Sequence, residues 1–300
     1  MYSSAVTIQQ CIEVGAQMFE QHGLYFGHGT DNALDEAGVL VAWGLNLGWS
    51  ELEGNLLREV SESEQQKLHH LFETRVERRI PAAYITGEAW FAGHRFKVNE
   101  NVLVPRSPIA ELIANDFQPW ISKPPGKILD LCCGSGCIGI AAALQFPDAE
   151  VSIADISPEA LEVARENILL HQLGDRVTAY QSDCLDQLGG QFDLIVSNPP
   201  YVNAEDLAEM PGEYHAEPKI GLYSGADGLD LTRRILGQAH SYLSAQGSII
   251  IEVGNSAEAL ENLLPGVPFM WPEFVYGGHG VFVLSVNDLL EHQSAIRLIA

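Results

Sequence analysis

Apolar positions recur at helical spacing through the first quarter of the chain and at strand spacing beyond it. Residues 6–19 place Ile8, Cys11, Ile12, Gly15 and Phe19 on one helical face. Gly23, Gly27 and Gly29 interrupt the pattern, and residues 35–47 resume it with Val39, Leu40, Trp43 and Leu47. Ser61 followed by Glu64 is a capping-box signal. The helix it starts would bury Leu68, Leu71, Phe72 and Val76, and Pro81 stops it after Ile80. Residues 89–91 and 95–98 flank Ala92-Gly93-His94 and read as a hairpin; residues 102–104 are then extended, and Ile109, Leu112, Ile113 and Phe117 mark another helix.

From Pro124 the rhythm becomes strand, helix, strand. Strands are expected at 127–131, 150–155, 177–181, 193–196 and 248–253, with helices at 137–146, 158–171 and 229–243. Ser157 and Pro158 supply the cap and first position of the middle helix. Residues 269–274 and 281–286 have no good helix between them and are expected to pair antiparallel. Alternation of this kind implies an α/β fold, a mostly parallel sheet covered on both faces. The chain thus divides into three parts: a helical amino-terminal domain over 1–80, a hairpin linker over 81–108 and an α/β domain over 109–300.

The 300 residues carry 40 acidic and 16 basic side chains, for a formal charge of −24. A nucleic-acid reader usually presents a basic face, and no basic run here exceeds Arg78–Arg79 or Arg233–Arg234. No nucleic-acid binding is expected; an acidic body suits a basic partner, or simply stays soluble. No apolar run reaches membrane-spanning length and no signal peptide is evident, so a soluble cytoplasmic protein is expected. The five cysteines form no Cys-x-x-Cys pair, and no metal site is expected.

Two loops carry chemistry. Asp130-Leu-Cys132-Cys133-Gly134-Ser135-Gly136-Cys-Ile-Gly139 joins a strand to a helix and contains G-x-G-x-x-G, where glycines permit a tight turn and close backbone approach to a ligand. Asp155 ends the next strand, where a carboxylate can accept from both hydroxyls of a ribose, with Ile156 after it; Asp183 and Cys184 come after the third strand. The second loop is Asp193-Leu-Ile-Val-Ser-Asn198-Pro199-Pro200-Tyr201. Its prolines stiffen the backbone and donate no hydrogen bond. The Asn198 side-chain oxygen and the Pro199 carbonyl suit the two N–H groups of a planar NH2, and the Tyr201 ring offers a flat wall. A glycine loop alone fits a dinucleotide, which would need a diphosphate at the helix start. A site that presents an NH2 calls instead for a methyl donor, with Asp130 partnering the ammonium of S-adenosylmethionine. The captured NH2 could be a side-chain amide or the exocyclic amine of adenine in DNA or RNA, and a nucleoside-sensing protein without turnover is a further reading.

These motifs resemble class I methyltransferases, and within them the HemK-type protein glutamine methyltransferases. The resemblance runs over essentially the whole chain: helical amino domain, hairpin, Leu-Val-Pro-Arg106-Ser-Pro, Asp-Leu-Cys-Cys-Gly-Ser-Gly and Asn-Pro-Pro-Tyr. It implies a Rossmann-like seven-stranded sheet, S-adenosylmethionine as cofactor, and a glutamine amide held by Asn198, Pro199, Pro200 and Tyr201. It also implies that Asp130 and the 132–136 loop hold the methionine part of the donor, Asp155 and Ile156 the nucleoside, and Asp183 with Cys184 the adenine, where relatives often carry an aromatic residue. Arg106 and Glu111 are possible site-lining residues. The release-factor branch has Pro-Arg-Pro-x-Thr-Glu; here Pro-Arg-Ser-Pro-Ile-Ala-Glu is one residue longer and lacks the threonine, so the resemblance is closer to the PrmB-like branch. That branch implies a basic partner, the third protein of the large ribosomal subunit; a release factor is the alternative substrate.

Overall fold

The computed structural model describes residues 6–300, and the chain divides into two compact units. The first takes in the chain up to Ala89 together with 98–100 and 211–217; the second takes in 90–97, 101–210 and 218–300.

The first unit is a helix bundle. Helices Ile8–Gln21, Ala33–Leu45 and Glu62–Arg78 pack Ile8, Phe19, Leu40, Leu68 and Phe72 into one core. Each starts at a side-chain cap, from Thr7, Asn32 and Ser61, and the Ser61–Glu64 capping box is complete. Gly15 lets the first helix approach the third, because a Cβ there would lie 2.7 Å from the Phe72 ring. The same unit buries an ionic cluster. Arg75 reaches Glu36, the Tyr25 carbonyl at 2.9 Å and Glu213 at 3.4 Å, while Arg79 reaches Glu213 at 2.9 Å. Residues 211–217 thus belong to this unit although the chain on either side of them belongs to the other.

A two-stranded hairpin joins β1 (Glu88–Phe91) to β2 (His94–Lys97) through Ala92 and Gly93, both at positive φ, as a primed two-residue turn requires. The second unit is built on six strands: β3 (Lys127–Leu131), β4 (Glu150–Asp155), β5 (Val177–Gln181), β6 (Phe192–Ser197), β7 (Leu243–Glu252) and β8 (Val281–Ser285). They lie in the order β5-β4-β3-β6-β7-β8, all neighbours parallel except β7 and β8. Side chains alternate between two apolar cores, Ile128, Val196 and Ile250 on one face and Leu129, Ile195 and Ile249 on the other. This explains why the strands read as continuous apolar runs.

Strand order reverses between β3 and β6, which makes their carboxyl ends the topological switch point where open α/β sheets bind ligands. The seventh position of the expected sheet is a single antiparallel bridge, Met270 to Val283. Pro268 and Pro272 flank that segment, and each removes a backbone donor that a longer ladder would need. Short helices also occur where no element was expected, including Ala257–Leu263, Val286–Glu291 and Gln293–Ile299. Residues 102–104 form no strand. Among the described residues no helix is long and apolar enough to cross a membrane.

Candidate active site

Register places the two loops side by side. Leu131 of β3 pairs with Ala154 of β4 and with Ser197 of β6, and Ser197 pairs with Ile251 of β7. The next residue on each strand therefore leaves the same edge: Asp155, Cys132, Asn198 and Glu252 in spatial order. Neighbouring strands are about 4.8 Å apart, so Asn198 sits one strand spacing from the glycine loop. The Ser197 hydroxyl donates to the Leu131 carbonyl at 2.6 Å and locks the two exits together.

The glycine loop is tied down from the next strand. The Cys133 N–H donates to the Ala154 carbonyl at 3.0 Å and the Gly134 N–H to Asp155 Oδ2 at 2.9 Å. Gly134 and Gly136 sit at φ 52° and 77°. Gly139 is needed for a different reason: a Cβ there would meet Ile153 at 2.5 Å and the Asp130 Cβ at 2.8 Å. Asp130 is wholly buried and accepts the Gly139 N–H on Oδ2 at 2.7 Å, while Oδ1 has no hydrogen-bond partner among the described residues. Burial pushes its carboxyl up to about 7; the Gly139 N–H opposes that and the neighbouring Asp155 charge adds to it. Asp155 is likewise raised by burial, against the N–H groups of Ser157 and Gly134.

These features fit S-adenosylmethionine. A buried carboxylate oxygen without a partner answers an ammonium group. Space is open where a Cβ on Gly134 would stand. Asp155 Oδ2 accepts the Gly134 N–H and Oδ1 the Ser157 N–H, and the carboxylate has lone-pair capacity left for a ribose hydroxyl. Ile156 is 45% exposed just past the end of β4, an apolar surface for a flat base. The thiols of Cys132 and Cys133 are held well above the ordinary range by burial, and that of Cys137 at about 12, so this loop offers neutral walls rather than nucleophiles.

Asp183 lies beyond the end of β5 and is paired with Arg234 at 2.9 Å. Cys184 beside it is buried at φ 52°, its thiol pushed up to about 11 by burial. Glu111 braces a neighbouring loop, its carboxylate accepting the N–H groups of Val275 at 3.0 Å and Tyr276 at 3.2 Å. Arg106 donates to the Val104 carbonyl at 3.1 Å, and its charge favours the ionised form of Glu252.

In the acceptor loop Pro199 is buried and Asn198, Pro200 and Tyr201 are half-buried. Val202 anchors the far side through its N–H to the Leu222 carbonyl at 2.8 Å and its carbonyl to the Ser224 N–H at 3.0 Å. Sequence reasoning missed the loop's deepest support. The Tyr201 hydroxyl donates to Glu252 at 2.8 Å, and the Ser107 hydroxyl donates to the other Glu252 oxygen at 2.5 Å. The signal was present: an acid closing an apolar strand at the same edge as Asp155.

Residues 110–211 match the family model of the methyltransferase small domain, and residues 14–87 that of the PrmC N-terminal domain. The ribosomal protein uL3 glutamine methyltransferase of Francisella tularensis subsp. tularensis is 45% identical over 97% of this chain and 94% of its own. That of Xanthomonas campestris pv. campestris is 46% identical over 98% and 96%. The hMettl16 catalytic domain, solved in complex with the MAT2A 3′UTR hairpin 6, shares the fold at a TM-score of 0.50 and 14% identity, covering 75% of this chain and 81% of that one. Near-full-length identity at this level places the chain in the family of ribosomal protein uL3 glutamine methyltransferases.

Proposed function

We propose that this enzyme methylates the side-chain amide nitrogen of a glutamine in ribosomal protein uL3, using S-adenosylmethionine. The observation that carries the reading is the register that sets Asn198 beside the glycine loop.

When bound, S-adenosylmethionine supplies an electrophilic methyl group. Asp130 Oδ1 would accept from its ammonium, Asp155 would accept from its ribose, and Ile156 would offer its base an apolar surface. Cys132 to Gly136 would hold the methionine part, and Asp183 and Cys184 would border the base. Asn198 Oδ1 and the Pro199 carbonyl each accept one amide N–H of the substrate. Those bonds raise electron density on a nitrogen otherwise conjugated with its carbonyl, and they fix its direction. Orientation of this kind accounts for a large share of the barrier reduction in such transfers, as well-oriented intramolecular reactions reach effective molarities of about 10⁵–10⁸ M. Pro200 keeps the bend stiff and the Tyr201 ring forms the wall. Arg106 and Glu111 shape the surrounding loops.

The net charge of −24 supports a basic protein partner, which an acidic surface would steer in. The helical unit, residues 1–80 in its simplest division, is assigned to gripping that partner, with 81–108 as linker and 109–300 as catalytic domain. The test uses labelled methyl donor with uL3, a release factor and DNA in parallel. Label in uL3 alone is the expected result; label in DNA or only in the release factor overturns the assignment.

A further inference from the structure

Tyr201 is gripped at three points by alternate residues of one segment. Its hydroxyl donates to Glu252 at 2.8 Å. Its ring lies against Gly254, where a Cβ would come within 2.6 Å of Cε2. Its carbonyl accepts the Ser256 hydroxyl at 3.0 Å. Gly254 is itself pinned, since a Cβ on Gly280 would meet the Gly254 carbonyl at 2.2 Å and the Gly254 N–H donates to the Gly280 carbonyl at 3.2 Å.

Glu252 is the unusual member. It is only 5% exposed, and a carboxylate at that depth is costly unless its lone pairs are used. Both oxygens accept a hydroxyl, one from Tyr201 and one from Ser107, which is 145 residues away in sequence. Among the described residues, the charged and titratable groups that act on it are Arg106, His279 and the Tyr201 phenol bonded to it. A tyrosine needed only as a flat wall would work as phenylalanine and would not need a buried acid.

We propose that Glu252 is a positioning residue for methyl transfer. By fixing the Tyr201 hydroxyl from the end of β7, it sets the diproline bend so that Asn198 faces the donor. This rests on the functional reading above. Each oxygen receives one hydroxyl, and a proton on Glu252 would add a donor that competes with them, so the ionised form is the one that holds this geometry. Burial raises its pKa, the Ser107 and Tyr201 hydroxyls lower it, and so do the Arg106 and His279 charges. Loss of the ionised form as pH falls should loosen the bend.

The test compares the full-length enzyme with Glu252→Gln, which keeps shape and removes the charge. At saturating donor, kcat for uL3 should fall at least tenfold while KM and donor affinity stay within about twofold. The acid limb of the wild-type kcat profile should be absent from the variant, an outcome that a merely structural glutamate would not produce. Hydrogen exchange at the Val202 N–H, which needs no substrate, should quicken about tenfold. Unchanged kcat and pH profile overturn the proposal, as does unchanged exchange. Wild-type enzyme that leaves uL3 unlabelled overturns the functional reading instead, and the exchange result still decides the positioning role. If Glu252→Gln does not fold, Ser107→Ala takes its place; about threefold lower kcat at constant KM supports the proposal, and wild-type behaviour overturns it.

Discussion

Ser197 and Leu131 are partners across β6 and β3, and the Ser197 hydroxyl donates to the Leu131 carbonyl at 2.6 Å from a wholly buried position. The bond ties together the last residues before two loops that approach one site. Ser197→Ala removes a buried donor, at a cost of about 1–2 kcal/mol. Chemical denaturation should show that loss, and turnover should fall several-fold more than donor affinity, since the two exits lose their fixed spacing.

With Asp130 proposed as the partner of the donor's ammonium, donor binding is expected to depend on pH. Its folded pKa of about 7 lies above the ordinary 3.8, so the donor-free protein keeps this proton when the unfolded chain has lost it. Stability from this group is therefore present at low pH and lost as pH rises from 3.8 towards 7. An ammonium against Oδ1 favours the carboxylate, so binding releases the proton. Affinity for S-adenosylmethionine should rise about tenfold per pH unit below pH 7 and level off above it, until the donor's own ammonium loses its proton at about pH 8. Calorimetry across that range should find the slope in the wild type, and a weaker, flat profile in Asp130→Asn.

Gly139 is a packing requirement rather than a conformational one. A Cβ at this position would stand 2.5 Å from Ile153 and 2.8 Å from the Asp130 Cβ, inside any normal contact. Gly139→Ala should cost about 1–3 kcal/mol in thermal unfolding. It should also weaken donor binding, because the displaced neighbour is Asp130.

The buried cluster of the helical unit gives an independent stability prediction. Burial tends to raise the Glu213 pKa, yet the Tyr25 N–H and the Arg75 and Arg79 charges bring it below the ordinary value. A depressed carboxyl contributes stability above its unfolded pKa and loses it as pH falls through the folded one. Glu213→Gln leaves Arg75 its bonds to Glu36 and the Tyr25 carbonyl and should cost about 1–3 kcal/mol at neutral pH. The difference from wild type should narrow as pH falls below the ordinary carboxyl value of 4.5, because the protonated Glu213 then matches the neutral glutamine.

Local signals were legible in the sequence where a single stretch determined the outcome. The Ser61–Glu64 box, the Asp130 to Gly139 loop and the strand before Asn198 each carry their own caps, glycines or apolar run, and each forms as read. What was hidden depends on partners far away in the chain. Glu252 meets Tyr201 across 51 residues and Ser107 across 145, and Arg75 meets Glu213 across 138. The helices Val286–Glu291 and Gln293–Ile299 are too short for periodicity to reveal. The strand expected at 269–274 is cut to one bridge by prolines whose effect depends on which neighbour they face.

The central claim is that Asn198 holds the acceptor amide beside the donor. Single-turnover methylation of uL3 by Asn198→Ala, with donor affinity measured on the same preparation, tests it most directly. The expected rate is at least about a hundredfold lower, with donor affinity within about threefold of wild type, because an acceptor and an orienting group vanish together. A near-wild-type rate from that variant would contradict it.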